Sequence, residues 1–337
     1  MNLRRLLIKP YAYRKCGNDG QWLWDNWTNY TECIQYLAPV VVPTVHLLVC
    51  YILFIFSIIS LALLLATLFI YLYFTSLMCS RLRVHRNLVV ALIMHSILMI
   101  VISYPSIFSI NSYRDIETLC KIVISLKLFA ALSSINWMFI EGLLLHSRIT
   151  TSIFRKDAPF KLYYCIGWGL PLLTTIIWCI TMSYCWTSYC WTGYGDSIYV
   201  WIITGPMIAA IGINCIFLIN IIRILVTKLR LTVNVETTQI RKAIKATALL
   251  FPLLGISHLL FCFNPGDNGN LENAYMITNA FLQSSQGMFV SILYCFLNTE
   301  VQTTLRNVYL RASIRRSANP NLRFSLIGRH SSNSSIH

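Results

Sequence analysis

Residues 44–73 read TVHLLVCYILFIFSIISLALLLATLFIYLY and contain no Asp, Glu, Lys or Arg. A helix rises about 1.5 Å per residue, so roughly 20 apolar residues cross a hydrocarbon core about 30 Å thick. This stretch has length to spare. Six further runs meet the same test, at 84–110, 119–150, 162–184, 197–228, 243–263 and 275–297. Several exceed the minimum, which implies tilt or extension beyond the bilayer. The spacers are too short for an internal soluble domain, so a seven-transmembrane helix bundle fills residues 41–298. The fold class is an all-α integral membrane protein.

Composition points the same way. Of 337 residues, 56% are hydrophobic and 12% charged, where a soluble chain carries about 25% charged residues. Most of the surface must therefore meet lipid. A net charge of +15 raises nucleic acid as a partner, but the placement of the charge speaks against it. Arg81, Arg83 and Arg86 follow the first span, and Arg148, Arg155, Lys156 and Lys161 lie between the third and fourth. Arg223, Lys228, Arg230, Arg241, Lys242 and Lys245 lie around the link between the fifth and sixth. Arg306, Arg311, Arg315, Arg316, Arg323 and Arg329 are in the tail. When the spans alternate, all of these fall on one side, the positive-inside pattern. That puts the C-terminus in the cytoplasm and, with an odd number of spans, the N-terminus outside. Arg4, Arg5, Lys9, Arg14 and Lys15 run against the rule, and no hydrophobic signal segment precedes them. The expectation is that the chain begins inside a longer ectodomain.

Two sequons, Asn26-Trp27-Thr28 and Asn29-Tyr30-Thr31, precede the first span and fit glycosylation of Asn26 and Asn29 on that outer side. A third, at Asn333, falls in the cytoplasmic tail and should be silent. Of twelve cysteines, Cys50, Cys165, Cys179, Cys215, Cys262 and Cys295 lie in the spans, where a thiol acts as a small buried hydrophobe. Their spacing offers no zinc pattern, and neither a metal nor a cofactor is expected. Cys120 opens the third span on the outside, and Cys190 lies between the fourth and fifth. Both face an oxidising compartment, which allows a disulfide between them, with Cys185 as a rival partner.

Several patterns then fall in order along residues 16–310. They are Cys16-Gly-Asn-Asp-Gly-Gln-Trp22 with Asn29-Tyr-Thr-Glu-Cys33; Arg81-Leu-Arg-Val-His85; Trp137-Met-Phe-Ile-Glu141-Gly142-Leu-Leu-Leu-His146; and Cys190-Trp191. They continue with Asn214 and the run to Lys228-Leu-Arg230; Thr247 with Pro252-Leu-Leu-Gly255; and Gln286-Gly287 with Tyr294-Cys-Phe-Leu-Asn298-Thr-Glu300-Val301. Together they resemble the secretin-like (class B) peptide-hormone receptors. Within that family, Trp137–Leu143, Ile221–Arg230 and Arg241-Lys-Ala-Ile-Lys245 look most like the pigment-dispersing-factor receptors of invertebrates.

The resemblance implies roles. His85, Glu141, Thr247 and Tyr294 would form a polar lock that holds the inactive bundle closed. A buried ionisable residue in a membrane helix is costly and marks function by default, although structural pairing or snorkelling is the plainer reading of His85 and Glu141. Pro252 removes a helix hydrogen bond, and with Gly255 it would be the hinge of the sixth span. Arg81, Leu145, Lys245, Asn298 and Glu300 would face a heterotrimeric G protein, and His95, Trp191 and Gln286 would face the peptide. From its own spacing, Lys127 shares a helix face with Ser134 and Glu141 at seven-residue intervals. It either lines an outward-facing cavity and meets an acidic ligand group or snorkels to the headgroups.

Departures from the family are also present: Ser134 stands where Asn is common, His95 where a basic residue is common, and Ser257 where a His often follows the Pro-Leu-Leu-Gly motif. Of six ectodomain cysteines only Cys16 and Cys33 are present. Residues 1–40 would thus be a truncated, residual part of the hormone-binding ectodomain. Residues 299–313 would form a short amphipathic eighth helix on the inner leaflet, and 314–337 a disordered cytoplasmic tail. The implied function is a plasma-membrane neuropeptide receptor of pigment-dispersing-factor type. Its partners are a peptide hormone, a stimulatory G protein that raises cyclic AMP, and membrane lipid. The alternative is a truncated, non-signalling decoy. No half-helix repeat or filter loop suggests a transporter or channel, and no nucleophile–base or metal constellation suggests an enzyme.

Overall fold

A computed structural model of the chain describes residues 14, 16–17, 20–22, 44–73, 80–108, 113, 116–150, 159–186, 188–231 and 269–316. Thr247, Lys245, Pro252 and Gly255 of the sixth predicted span lie outside these residues, as do Asn26, Asn29 and Cys33. Arg81 and Glu300 are described at the backbone alone.

The helices are α1 (Thr44–Tyr73), α2 (Ser80–Phe108), α3 (Glu117–Thr150) and α4 (Phe160–Cys185). They continue with α5 (Trp201–Leu231), α6 (Gly269–Ser291) and α7 (Thr299–Arg316). Helices α1 to α5 are each long and apolar enough to cross a membrane. The seventh predicted span is α6, which runs on through a π turn, Ile292–Phe296, and meets α7 at a bend of 62°.

Where helix ends differ from the apolar runs, polar residues account for it. Helix α2 starts at Ser80 rather than 84, because its first turn holds Arg81 and Arg83, which satisfy helix geometry without being apolar. Helix α6 starts at Gly269 rather than 275, through Asn270, Glu272 and Asn273. An acidic group there suits the positive end of the helix dipole. Helix α4 carries a π turn at Cys165–Gly169 that hydropathy cannot register.

Residues Met1–Leu48 and Val49–His337 form two compact units. In the first, a tight turn pairs Cys16 with Trp22, with Gly17 N–H donating to Gln21 C=O at 2.8 Å. Gly20 sits at φ +75°, where a side chain would be strained. Cys16 is exposed and forms no disulfide.

In the second unit α3 is the central element. Every residue from Ala130 to Gly142 except Phe139 is buried, so this helix has neighbours on all sides. Its polar residues Ser133, Ser134, Asn136 and Glu141 are therefore interior groups. Helix α1 touches the bundle along one narrow seam of Ser57, Ser60, Leu64, Thr67 and Tyr71. That alternation of three and four residues is the packing stripe of a helix on a neighbour. Its other side exposes Ile55, Ile58, Ile59, Leu65, Phe69 and Leu72, as a lipid-facing surface does.

Small residues set the closest approaches. Helices α1 and α6 meet where Ser60 Oγ donates to Ser284 C=O at 2.6 Å and accepts from Met288 N–H at 3.2 Å. A Cβ on Gly287 between them would sit 2.6 Å from Leu64 Cδ1. Without a hydrophobic drive between helices in lipid, such close backbone contact holds them together. In the π turn of α4, Gly167 packs directly against the indole of the buried Trp137. A Cβ there would come within 2.7 Å of Trp137 Nε1 and closer still to Cε2 and Cζ2. Gly167→Ala should therefore lower the melting temperature of the purified protein, since overpacking costs about 1–3 kcal/mol. Adding Trp137→Phe should make the double variant lose less than the sum of the singles. Additive losses would contradict the contact.

Candidate functional site

Among the described residues two polar sites lie in the bundle, near opposite ends of α3. At the end where α2 begins, His85 and Glu141 are 3% exposed each, with His85 Nδ1 3.5 Å from Glu141 Oε2. That is ion-pair distance rather than a short, aligned hydrogen bond. The ring of Tyr294 lies over His85 with centroids 4.2 Å apart, and Tyr71 meets the same imidazole edge-on at 5.9 Å. Tyr71 Oη also donates to the carbonyl of Tyr294 at 3.3 Å. Three of the four expected lock residues thus converge, brought together from α2, α3 and the π turn after α6. Tyr71 was not anticipated. The signal was present in the sequence as the Ser57, Ser60, Thr67, Tyr71 stripe in an otherwise apolar helix.

Polar contacts brace this end from the side. Asn87 accepts from Trp168 Nε1 at 3.3 Å and contacts Tyr164 Oη at 3.4 Å, tying α2 to α4. Trp137 packs edge-on against both Tyr164 and Trp168. Leu145, half-buried, packs against the same core. Asn298 N–H donates to Cys295 C=O, and Gln302 Nε2 donates to Phe296 C=O at 2.8 Å, fastening α7 to the turn.

At the other end a cavity of about 430 Å³ opens among α2, α3, α5, α6 and the loop between α4 and α5. Its polar lining includes His95, Lys127, Gln283 and Tyr194, on walls from Trp178 and Trp201. Among the described residues no acidic side chain lines it, and Lys127 makes no ion pair. The sequence singled out Gln286, but that residue lies deeper, 5% exposed, with its amide donating to Met138 Sδ at 3.3 Å. Gln283, three residues earlier, faces the cavity instead. That is less than a turn; the sequence named Gln286 alone, and the rotation of α6 decides which of them meets the cavity.

The loop over the cavity is tied to α3 by a disulfide between Cys120 and Cys190, and Cys185 remains free. Cys190 and Trp191 both adopt positive φ, at 54° and 51°. Non-glycine residues persist there when their surroundings over-determine them. Trp191 is buried edge-on against Trp178 at 5.1 Å, and the Lys121 ammonium lies 5.4 Å over its ring. Trp191 therefore anchors the loop and does not line the cavity. Trp186 Nε1 and Ser188 Oγ both donate to Thr192 C=O, closing the loop on itself.

Residues 46–290 match the family described as 7 transmembrane receptor (Secretin family). The chain belongs to the secretin family of seven-transmembrane receptors. Over 306 residues it is 36% identical to corticotropin-releasing factor receptor 1 of Mus musculus and of Macaca mulatta, covering 89% of this chain and 72% of each relative. With corticotropin-releasing factor receptor 2 of Homo sapiens the identity is 33% over 317 residues, at the same coverage. This secretin-family chain is thus a G-protein-coupled receptor of class B and not an enzyme. The narrower likeness to pigment-dispersing-factor receptors does not come from these relatives.

Cys190→Ser in this receptor should lower thermal stability by about 2–5 kcal/mol, as loss of a disulfide across a long loop does. Cys185→Ser should leave the melting temperature unchanged. The reverse ranking would mean that Cys185 is the true partner.

Proposed function

We propose that the chain is a receptor for a peptide hormone that enters the cavity at the disulfide end and signals through a G protein at the α7 end. The single observation that carries this reading is the cluster of His85, Glu141 and Tyr294, closed beneath a separate, open, cation-lined cavity. Two sites at opposite ends of one central helix are what transmission across a membrane needs. Similarity to corticotropin-releasing factor receptors, at 36% identity, favours a ligand of that chemical kind. The runs Trp137–Leu143, Ile221–Arg230 and Arg241–Lys245 favour a pigment-dispersing-factor-like peptide. Coupling runs through the stimulatory G protein to cyclic AMP, with the N-terminus outside and the C-terminus in the cytoplasm of a plasma-membrane protein.

In this reading His85, Glu141 and Tyr294, with Thr247 from the sixth span, hold the closed state, and Pro252 and Gly255 let that span swing. Lys127 and His95 meet the inserted end of the peptide, above Gln286. Arg81, Leu145, Lys245, Asn298 and Glu300 face the G protein. The face of α7 that exposes Leu305, Val308 and Tyr309 rests on lipid beside Arg306 and Arg311. A peptide biases the open state only through its higher affinity for it.

Two outcomes follow in cells with matched surface levels. A panel containing corticotropin-releasing-factor-like and pigment-dispersing-factor-like peptides should include one that raises cyclic AMP dose-dependently. Lys127→Gln should shift that curve right by roughly 10- to 100-fold, the worth of a charge-assisted hydrogen bond. An unshifted curve removes Lys127 from the site, and silence to every peptide at full surface expression favours the decoy form. Glu141→Gln should raise agonist-independent cyclic AMP several-fold, and an unchanged baseline would contradict the lock.

A further inference from the structure

The backbone at the end of the seventh span is out of register with an ordinary helix. In the π turn Ile292–Phe296, Leu297 N–H reaches Ile292 C=O at 2.8 Å, and Asn298 N–H reaches Cys295 C=O at 3.2 Å. In an uninterrupted α-helix these two donors would serve Leu293 and Tyr294. The carbonyl of Tyr294 instead takes the hydroxyl of Tyr71, which reaches across from α1. Tyr71 is 1% exposed and is the last residue of the buried α1 seam. Its ring stands edge-on to His85, the imidazole against which the ring of Tyr294 also packs.

A π turn differs from an α turn by one residue of slippage, so return to α register rotates everything beyond it by about 100°. Such a turn is a two-position element, and these are common at functional sites. In the π register the Tyr71 hydroxyl has an acceptor. In the α register Asn298 N–H would itself supply the Tyr294 carbonyl with a donor. In the π register that N–H serves Cys295, and the Tyr71 hydroxyl gives the buried carbonyl a donor in its place, which is worth more there than beside a second donor. The hydroxyl therefore favours the register that holds Tyr294 over His85.

We propose that Tyr71 is a positioning residue for signalling, a latch on α1 whose hydroxyl holds the π turn of the seventh span and thereby keeps Tyr294 on His85. The inference rests on the lock reading of His85, Glu141 and Tyr294. It adds a helix and a backbone contact that this reading does not contain. Because 3.3 Å is long for a hydroxyl donor, the effect of its removal is modest.

The test uses Tyr71→Phe, which keeps the ring against His85 and deletes only the donor. In purified full-length receptor, hydrogen–deuterium exchange at the amides of Leu297 and Asn298 should quicken, while exchange along α3 is unchanged. In cells at matched surface level, agonist-independent recruitment of tagged G-protein α subunits should rise about 2- to 5-fold, the scale of one modest hydrogen bond. Damage to packing alone would lower recruitment rather than raise it. Tyr294→Ala serves as the reference for the lock. If it raises the baseline and Tyr71→Phe changes neither baseline nor exchange, the latch is overturned and the lock stands. If exchange quickens while both variants leave the baseline flat, the latch exists but the link to signalling is overturned together with the lock. Unchanged exchange overturns the latch whatever the cells show, and it remains readable if the variant fails to reach the surface.

Discussion

His85 and Glu141 face each other where neither reaches water, and the interior is organised around that contact. Burying an ionisable group costs a great deal unless a partner compensates it. Helix α2 must therefore present His85 to α3 at this one level, and the rings of Tyr294 and Tyr71 pack against the same imidazole. Three helices and a turn are set in register by one pair. The same requirement makes the pair a place where a conformational change is felt, because any helix that moves leaves a buried polar group behind.

The cavity at the other end is governed by a different constraint. Its loop is held to α3 by Cys120–Cys190 and seated by Trp191 on Trp178, so the roof is rigid where the floor is polar. Lys127 and Glu141 lie on the same helix, fourteen residues apart by their numbering, which is about 21 Å of helical rise. Between them α3 is buried on all sides. A packed helix of this kind transmits displacement better than a half-exposed one, because packed interiors do not deform continuously.

Much of this was legible in the sequence. Apolar length marks the spans α1 to α5, and α6 together with the bend into α7, and the pairing of His85 with Glu141 follows from two ionisable residues in apolar runs that resemble a known family. Other features resisted for physical reasons. Among its described residues helix α3 exposes large apolar side chains only near its start, at Leu119, Ile122 and Leu126, and is packed on all sides from Ala130 to Gly142, so apolar periodicity says little about which neighbour each of those residues meets. Gln283 and Gln286 differ by less than a turn, and hydropathy does not say which one meets the cavity. The π turns at Cys165–Gly169 and Ile292–Phe296 leave no compositional trace, yet they place Gly167 under Trp137 and free the Tyr294 carbonyl for Tyr71. The hydroxyl stripe of α1 was visible, but a stripe of small polar residues says only that a neighbour is close.

A double-mutant cycle on thermal stability, with His85→Phe and Glu141→Leu in the purified receptor, tests this account most directly. Each single change leaves one buried polar partner uncompensated, whereas the double change replaces both with apolar groups of similar shape. The account predicts that the double variant melts above at least one of the singles, with a coupling well beyond additivity. Losses that simply add would mean that His85 and Glu141 do not depend on each other, and the organising role given to their contact would be wrong.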